Sequence, residues 1–380
     1  MFDEDVIGLC GPEGKHNADR AGYRHGTEEG SVTLGGRRVP VTRPRVRAAD
    51  GSGELHLTSY ELFSATEILG RLALEKMLAG LSSRRYGHGL EPAGHAVEQA
   101  SASTSKSAVS RRFAAATETA LGQLMTRRLD DLVVLMIDGV HFGEHTCVVA
   151  LGIGIDGTKY PLAVEEGSTE NATLVTSLIT GLRERGLDVT RPILAVIDGS
   201  KALARAIKDV FDKPLIHRCQ QHKIRNVRDR LPEKLRTVVE KRMRQAYHAS
   251  SAVEAEGQLT ALARELDRTH PGAAASLREG MAETLTILRL GVPPTLARTL
   301  HSTNPVESMI EICREHSKNV KRWRDGTMAL RWCAAGMLEA DHQFRRVNGH
   351  LHLPKLRAAL NAHFTSNVSA VTQNEGQKVA

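Results

Sequence analysis

Two apolar runs, each ending in Asp-Gly, stand out in the middle of the chain. Residues 132–137 lead into Asp138, and residues 193–197 lead into Asp198. Uninterrupted apolar runs of this length are typical of buried strands in an α/β fold. We therefore predict two buried strands, each of which ends in a carboxylate at the edge of a sheet.

Around these runs, strand and helix patterns alternate between residues 131 and 225. The pattern predicts three strands, a helix, a strand, a helix and a last strand, at 131–138, 145–155, 160–164, 171–185, 193–198, 200–211 and 214–216. The first three strands form a meander that turns at Asp156-Gly157. This is the element order of an RNase H-like domain.

The flanking regions differ in character. Residues 226–296 consist almost entirely of helix formers and read as a helical insertion, which the Pro293-Pro294 pair ends. We predict six segments along the chain. They are a hairpin-containing basic segment (1–50), a helical region (51–130), the first part of the α/β core (131–225), the insertion (226–296), the last part of the core (297–350) and a C-terminal tail (351–380). The tail is polar and expected to be disordered from about Ser366.

The first 130 residues combine a hairpin with helices. Valine and leucine residues flank Gly35-Gly36 with basic neighbours, which predicts a small basic hairpin. Helical spacing follows from Ser59, with short Ser/Gly turns near residues 83 and 101. Helices joined in this way are compatible with a helix-turn-helix, although ordinary helical packing explains the pattern equally well.

Composition and charge narrow the class of protein. The net charge is +7, and residues 218–244 hold ten Lys or Arg against three acids, while residues 31–49 hold five Arg and no acid. Concentrated positive charge favours a nucleic-acid partner; a solvated basic helix face is the alternative. Five widely spaced cysteines argue against a disulfide framework. No apolar run is long enough to span a membrane, so we expect a cytoplasmic, nucleoid-associated protein.

Three acids are the candidate chemistry. Asp138 and Asp198 end buried strands, and Glu307 follows in the phrase Ser302-Thr-Asn-Pro-Val-Glu-Ser308. Carboxylates from separate elements are the donors that Mg²⁺ takes in phosphoryl chemistry. The alternative is structural, because Asp-Gly is a common turn and Asn304-Pro-Val-Glu307 is a good helix capping box.

Six phrases in order give the chain a family resemblance. They are Met136-Ile-Asp-Gly139, Glu166-Gly-Ser-Thr-Glu-Asn171, Asp198-Gly-Ser-Lys201, His217-Arg-Cys-Gln-Gln-His-Lys-Ile-Arg-Asn226, Ser302-Thr-Asn-Pro-Val-Glu-Ser308 and Asn319-Val-Lys-Arg-Trp323. With them the chain resembles Mutator-type bacterial insertion-sequence DDE transposases over residues 130–345. The resemblance implies an RNase H-like catalytic core interrupted by an all-helical insertion, and an N-terminal helix-turn-helix-like region that binds DNA.

The resemblance also implies an activity. Asp138, Asp198 and Glu307 would bind two Mg²⁺ ions, with Mn²⁺ as a possible substitute, and serve DNA strand cleavage and strand transfer. The partners would be double-stranded DNA, both the terminal inverted repeats and the target, and a second copy of the chain in a dimer or higher assembly. No membrane partner is expected. Glu170-Asn171 is expected to begin a helix rather than to bind metal.

A Cys-x-x-His pair lies in the fourth phrase. Cys219 and His222 have the spacing of half a zinc site, but no second Cys/His pair has suitable spacing. The family resemblance makes the pair a signature near the catalytic pocket, with His217 and Asn226 as supporting residues. We predict a structural or substrate-positioning role for the pair.

Basic residues in three regions are candidate DNA contacts. They are Arg218, Lys223 and Arg225 in the fourth phrase, Lys321, Arg322 and Trp323 after Glu307, and Lys106, Arg111, Arg112, Arg43 and Arg45 in the N-terminal region. The residues of the fourth phrase are expected either to meet phosphate or to order the active site. Trp323 is expected to pack on DNA or to anchor the core, as these alternatives are equally supported.

Two other functions fit the same features. One is a catalytically inactive descendant of a transposase that only binds DNA, although the presence of all three acids argues against it. The other is an RNase H-like nuclease without strand transfer, which the insertion and the N-terminal region make less attractive. The sequence does not distinguish cut-and-paste movement from a copied circular intermediate.

Overall fold

The computed structural model describes residues 1–127 and 129–376. The chain forms two compact units. Unit 1 comprises Met1–Thr119 and His316–Asn319, and unit 2 comprises Ala120–Glu315 and Val320–Ala380. The finer division into six segments stays a prediction.

Unit 1 joins a long hairpin to short helices. Its elements are α1 (Phe2–Cys10), β1 (Gly22–Leu34), β2 (Arg37–Ala48), β3 (Glu54–Leu55), α2 (Thr58–Ser64), α3 (Glu67–Leu78), a 3₁₀ turn (Tyr86–Gly89), α4 (His95–Ala100) and α5 (Lys106–Met125), which continues into unit 2. The hairpin turns at Gly35-Gly36 as expected, where both residues have positive φ, and it is longer than the apolar pattern indicated. Helix α1 was missed, because only its Val6 and Cys10 are buried.

Unit 2 contains a mixed five-stranded sheet. The strands are β4 (Leu132–Phe142), β5 (His145–Gly154), β6 (Lys159–Gly167), β7 (Ile193–Ile197) and β8 (Pro214–Arg218), in the spatial order β6-β5-β4-β7-β8. The first three form the predicted antiparallel meander, and β4, β7 and β8 run parallel. The predicted α/β class and the strand order along the chain are therefore correct.

Helices cover both faces of this sheet. On one face, α6 (Ala172–Glu184) and α7 (Lys201–Val210) bury leucines and isoleucines against alternate strand residues such as Leu135 and Ile137. On the other face, α15 (Asn304–Ser317), α16 (Gly326–Gln343) and α17 (Leu353–Gly376) pack against Val134 and Met136. Alternation along β4 thus decides which helices each side chain meets.

The chain between β8 and α15 forms a block of helices with its own core, which runs from Gln220 to Leu300 and so extends beyond the predicted 226–296 at both ends. It contains α8 (Gln220–Arg228), α9 (Glu233–Tyr247), α10 (Ala252–Asp267), α11 (Pro271–Arg278), α12 (Met281–Thr284), α13 (Thr286–Arg289) and α14 (Pro294–Leu300). Leu259, Leu262 and Met243 are among the residues at its centre. This block connects β8 to α15, the helix that carries the last acid and packs against the sheet.

The C-terminal region departs from the prediction. Helix α17 continues to Gly376, so the disorder expected from Ser366 is wrong up to that residue. Residues 377–380, which the same prediction included, lie outside the described residues.

Among the helices of the described residues, none is long and apolar enough to cross a membrane.

Candidate active site

Asp138 lies within a strand rather than at its end. Strand β4 continues to Phe142, and Gly139 and Val140 keep their ladder positions opposite β5. The expectation that the Asp-Gly step ends the strand, or forms a turn, is therefore wrong here. The pairing of β4 with its other neighbour, β7, stops at Met136, so that side of Asp138 is open.

The parallel register brings the first two acids to the same level. β4 pairs Val134 with Leu194 and Met136 with Val196, and Asp138 and Asp198 each lie two residues beyond this last pair. Asp198 follows β7, and its Oδ1 accepts a hydrogen bond from the Ser200 amide at 2.8 Å. The charge of Asp198 raises the pKa of Asp138, so these two carboxylates, which are 60 residues apart in sequence, lie close enough to interact.

Glu307 comes from the helical side of the sheet. It lies in the first turn of α15, and its carboxylate accepts a hydrogen bond from the Thr303 hydroxyl. Because the helix already includes Asn304, the predicted capping box with Asn304 as N-cap is wrong, and the carbonyl of Thr303 accepts the amide of Glu307 at 3.0 Å. Alternation along β4 places Asp138 on the face that α15 covers.

A cleft of about 320 Å³ lies between the first acid and the last. Asp138, His222, Arg225 and Glu307 are among the residues that line it. Burial raises the pKa of Asp138 to about 7, and the negative charges of Asp198 and Glu307 contribute in the same direction. The three carboxylates therefore interact electrostatically, and this arrangement penalises the simultaneous ionisation of all three.

Cys219 and His222 adjoin Glu307, so the signature pair does lie beside the candidate site. Cys219 is the N-cap of α8, where its sulfur accepts the His222 amide at 3.5 Å. The Thr303 hydroxyl lies 3.3 Å from Nδ1 of His222, and Nδ1 lies 3.7 Å from Oε1 of Glu307. Together these contacts hold the last acid against the start of α8.

The same contacts change the acidity of both members of the pair. Burial alone would raise the pKa of the Cys219 thiol, but hydrogen bonds with His222 and Thr303 lower it overall. Conversely, the hydrogen bond to Cys219 raises the pKa of His222, against the effect of burial and with help from the charge of Glu307. The two pKa values are therefore shifted towards each other, that of Cys219 downwards and that of His222 upwards.

Glu170 is a neighbour of the site that sequence reasoning missed. Asn171 caps α6 as expected, and its Oδ1 accepts the Leu174 amide at 2.9 Å. However, the Glu170 carboxylate lies only 2.3 Å from where a Cβ on Gly139 would sit. Burial raises the pKa of Glu170, and the charge of Asp198 adds to this effect. Glycine at position 139 thus lets the Glu170 carboxylate approach the backbone of β4 beside Asp138. In the sequence, the glycine of the repeated Asp-Gly phrase was the signal of this contact.

Two basic residues of the fourth phrase are buried instead of facing solvent. The Arg218 guanidinium donates to the carbonyls of Gly199 and Glu279 at 3.0 and 3.3 Å. The Lys223 ammonium donates to those of Ser276 and Glu279 at 2.7 and 2.5 Å. Of the two predicted roles, phosphate contact and ordering of the active site, their burial supports the second and contradicts the first.

Arg218 explains the glycine that follows Asp198. Gly199 has a φ of +111°, and a Cβ there would lie 2.3 Å from Nη2 of Arg218. His217, the residue before Arg218, is fully buried, and burial lowers its pKa to about 3, so it is neutral. It supports the core beneath the site and does not line the cleft.

Arg225 and Asn226 are exposed on α8. Arg225 lines the cleft with Asp138 and Glu307, so the phosphate contact predicted for it is sterically accessible. The predicted hydrogen-bonding role of Asn226 stays a prediction.

The basic segment after Glu307 is not helical. Helix α15 ends at Ser317 and α16 begins at Gly326, so Lys321, Arg322 and Trp323 lie in the loop between the helix of the last acid and the next helix. Lys321 and Arg322 are exposed in the intervening loop. Trp323 packs its ring against Phe142 at 5.0 Å and Trp332 at 6.2 Å between centroids. Of its two predicted roles, these contacts support the core anchor.

The N-terminal candidates divide into exposed and engaged residues. Lys106 and Arg111 are exposed on α5, whereas Arg112 is half-buried and donates to the Ser103 carbonyl at 2.7 Å. Arg43 and Arg45 are ion-paired with Glu28 and Glu54, each at 2.6 Å. The hairpin is therefore less positive than residues 31–49 suggest, because pairing brings acids from β1 and β3 beside β2.

The remaining cysteines do not complete a zinc site at Cys219. Cys147, Cys313 and Cys333 are buried together in the core between the sheet and the helices α15 and α16. Contact with the other two thiols raises the pKa of Cys333 well above its usual value, and burial adds to the effect. Among the described residues, none of these three cysteines belongs to the group of potential ligand atoms around Cys219.

Comparison with known proteins identifies the family. The family described as "Transposase, Mutator family" matches residues 4–347. The chain is 25% identical to the transposase for insertion sequence element ISRM5 of Rhizobium meliloti (strain 1021), over 93% of this chain and 87% of that protein. It is 25% identical to the transposase for insertion sequence element IS256 in transposon Tn4001 of Staphylococcus aureus, over 86% and 83% of the two chains.

A shorter alignment agrees with these. The chain is 28% identical to the transposase for insertion sequence element IS6120 of Mycolicibacterium smegmatis. The aligned region covers 50% of this chain and 60% of that protein. Because the family match covers most of the sequence that folds into both units, the resemblance recognised from six short phrases is confirmed. The chain belongs to the Mutator family of transposases.

Proposed function

We propose that this chain is a DDE transposase that binds the terminal inverted repeats of its insertion sequence and catalyses metal-dependent DNA strand cleavage and strand transfer. The observation that supports this most strongly is the convergence of Asp138, Asp198 and Glu307 from three separate elements. Asp138 lies in β4, Asp198 directly follows the adjacent parallel strand β7, and Glu307 lies on the helix packed over the same face of the sheet as Asp138.

We further propose that unit 2 has an RNase H-like core. Its sheet order, with an antiparallel meander on one side and two parallel strands on the other, agrees with this class. The helical block between β8 and α15 then corresponds to an insertion ahead of the last acid. For unit 1 we propose a helix-turn-helix-like role in binding the element ends, which the exposed Lys106 and Arg111 on α5 support.

The residues fit a pair of Mg²⁺ ions by the chemistry of their donors. Asp138, Asp198 and Glu307 supply carboxylate oxygens, which hard divalent cations prefer, with Mn²⁺ as a possible substitute. The raised pKa of Asp138 also fits, because nearby positive charge would restore its ionised form. When bound, such ions supply electrostatic activation of the attacking oxygen and stabilisation of the leaving oxygen at phosphorus.

The other residues of the cleft would prepare it for DNA. Thr303 and His222 hold the carboxylate of Glu307 by the contacts described above, which limits its rotamers. Arg225 lies at the cleft and would neutralise phosphate charge as the DNA backbone enters. Arg218 fixes the loop after Asp198 through the Gly199 carbonyl. These residues bind or orient, and the chemistry is left to the acids and their ions.

Pairing two element ends would require at least a dimer during catalysis, acting on the element and on target DNA in the cytoplasm. The test is strand cleavage and joining on a labelled duplex that carries the element's own end, with Mg²⁺. We expect nicked and joined products from wild type, and end binding without products from Asp138→Asn.

Asp209→Asn is the matched control, because it changes an exposed acid on α7 in the same unit. This variant should cleave and join like wild type. Cleavage retained by Asp138→Asn would refute the assignment of the acids. Cleavage without any joining would instead identify a nuclease, and binding without cleavage by wild type would identify an inactive DNA-binding descendant.

A further inference from the structure

Two helix N-termini meet beside the candidate active site. Cys219 is the N-cap of α8 and His222 lies in the first turn of that helix, while Glu307 lies in the first turn of α15. The sulfur, one imidazole nitrogen and one carboxylate oxygen all lie within 4.8 Å of one another. Within 1–127 and 129–376, this is the only group of three or more His, Cys, Asp or Glu residues that meets this criterion.

The spacing of these atoms matches a tetrahedral metal. Bonds of about 2.0–2.3 Å to zinc imply ligand-to-ligand separations of roughly 3.3–3.8 Å for tetrahedral angles. The measured distance from Nδ1 of His222 to Oε1 of Glu307 is 3.7 Å. The Cys219 sulfur lies within 4.8 Å of both of these atoms.

The donor set also distinguishes this group from the site of the three acids. One sulfur, one nitrogen and one oxygen favour a borderline-soft cation such as Zn²⁺, whereas Mg²⁺ takes oxygen donors. Three protein ligands leave a fourth position, and His222 and Glu307 both line the 320 Å³ cleft from which a water molecule can fill it. Cys219 itself is fully buried, so the sulfur closes the site from the protein side.

We propose that Cys219, His222 and Glu307 form a binding site for a zinc-class divalent cation, distinct in ligand chemistry from the Mg²⁺ site but sharing Glu307 with it. Binding displaces the thiol proton of Cys219 to water and uses His222 as a neutral imidazole. Because one carboxylate serves both sites, zinc occupancy withdraws Glu307 from the three acids. Zinc is then an inhibitor of the transposase, a consequence that rests on the proposed function.

The site itself is tested without any DNA. Co²⁺, a spectroscopic substitute for Zn²⁺, is titrated into the reduced, full-length chain while thiolate-to-cobalt charge-transfer absorption is recorded. We expect one Co²⁺ per chain with a charge-transfer band, and loss of that band when Zn²⁺ is added, because Zn²⁺ binds more tightly than Co²⁺. Absence of the band would show a hydrogen-bonded cluster only and would overturn the proposal.

Variants locate the metal. Cys219→Ser keeps a side chain that caps helices well, so it should fold and lose the band. Cys313→Ser is the matched control, because it alters the other thiol cluster, which is buried in the core with Cys147 and Cys333. A band that survives in Cys219→Ser and disappears in Cys313→Ser would refute the site. Glu307→Gln should weaken Co²⁺ binding at least tenfold, and unchanged affinity would exclude Glu307 as a ligand.

Inhibition is measured separately on strand cleavage. In the presence of Mg²⁺, Zn²⁺ at the concentration that saturates the site should abolish cleavage by wild type. For Cys219→Ser, the same Zn²⁺ concentration should reduce the cleavage rate less, when each protein is compared with its own rate without Zn²⁺. Failure of wild type to cleave at all would count against the proposed function while leaving the cobalt result intact. Cleavage by a zinc-saturated wild type would refute the sharing of Glu307.

Discussion

Replacing Asp138 by asparagine should make the metal-free protein more stable, although it removes a residue of the active site. The pKa of Asp138 is raised from 3.8 to about 7 by burial and by the neighbouring acids. In the unfolded chain the carboxyl group ionises near its ordinary value, so folding is penalised as pH rises from about 4 to about 7. Asparagine stays neutral and escapes this penalty.

The shift sets the size of the effect. About three pKa units at about 1.4 kcal/mol each give an upper limit of roughly 4 kcal/mol above pH 7. Below the unfolded pKa both states are protonated, and the group then costs nothing. The gain from Asp138→Asn should therefore be near zero at about pH 4 and reach about 2–4 kcal/mol at about pH 8. The amide oxygen of asparagine can still accept the Gly139 amide, as Oδ1 does at 2.8 Å.

Tryptophan fluorescence during urea unfolding measures this effect in the relevant unit. The chain has two tryptophans, Trp323 and Trp332, and both belong to unit 2. The experiment is run with a chelator at acid and alkaline pH, with Asp209→Asn as control, and then with Mg²⁺. Added Mg²⁺ should stabilise wild type and remove the advantage of the variant. An equal effect at both pH values, or a variant less stable at alkaline pH, would refute the reasoning.

Four further substitutions test individual contacts. Gly139→Ala should lower strand cleavage in a folded protein, because its Cβ would displace the Glu170 carboxylate beside the site. Gly199→Ala should reduce the free energy of unfolding by about 1–3 kcal/mol, since φ is +111° and the Arg218 guanidinium occupies the space of a Cβ. Trp323→Ala should cost about 2–3 kcal/mol through lost packing and leave the salt dependence of DNA binding unchanged. Arg225→Ala should reduce the slope of log affinity against log salt by about one.

Each of these has a clear contrary result. Full cleavage by Gly139→Ala, measured on the labelled duplex, would show that Glu170 moves freely. Unchanged urea midpoints for Gly199→Ala would show that its backbone conformation is unstrained. A reduced salt slope for Trp323→Ala, or an unchanged slope for Arg225→Ala, would reverse the roles assigned to these two residues.

Much of the core could be predicted from the sequence, because buried strands appear as local runs of apolar residues. The runs before Asp138 and Asp198 are apolar on both faces, since helices cover both sides of the sheet. The prediction that these two strands bring their carboxylates together agrees with the parallel pairing of β4 with β7. Glu307 was identified through the phrase Ser302-Thr-Asn-Pro-Val-Glu-Ser308 and the family resemblance, because its local pattern alone also fits a helix cap.

The errors came from contacts that are not local. Charge counts along 31–49 and 218–244 missed the ion pairs of Arg43 with Glu28 and of Arg242 with Glu265, at 2.6 and 2.5 Å. Burial of Lys223 depends on carbonyls about 50 residues away, which no spacing rule reveals. The continuation of β4 beyond Asp138 depends on its partner strand β5, which pairs through Phe142.

The central claim is that three acids act as one metal-dependent strand-transfer site. The most direct test is joining of a pre-cleaved element end, with its 3′-hydroxyl already exposed, to target DNA in the presence of Mg²⁺. Asp138→Asn, Asp198→Asn, Glu307→Gln and the triple variant are each compared with wild type while end binding is monitored. The account predicts that every single variant binds the end and falls to the same background as the triple variant, because the acids act as a unit. Joining by any single variant at more than about a tenth of the wild-type rate would contradict it.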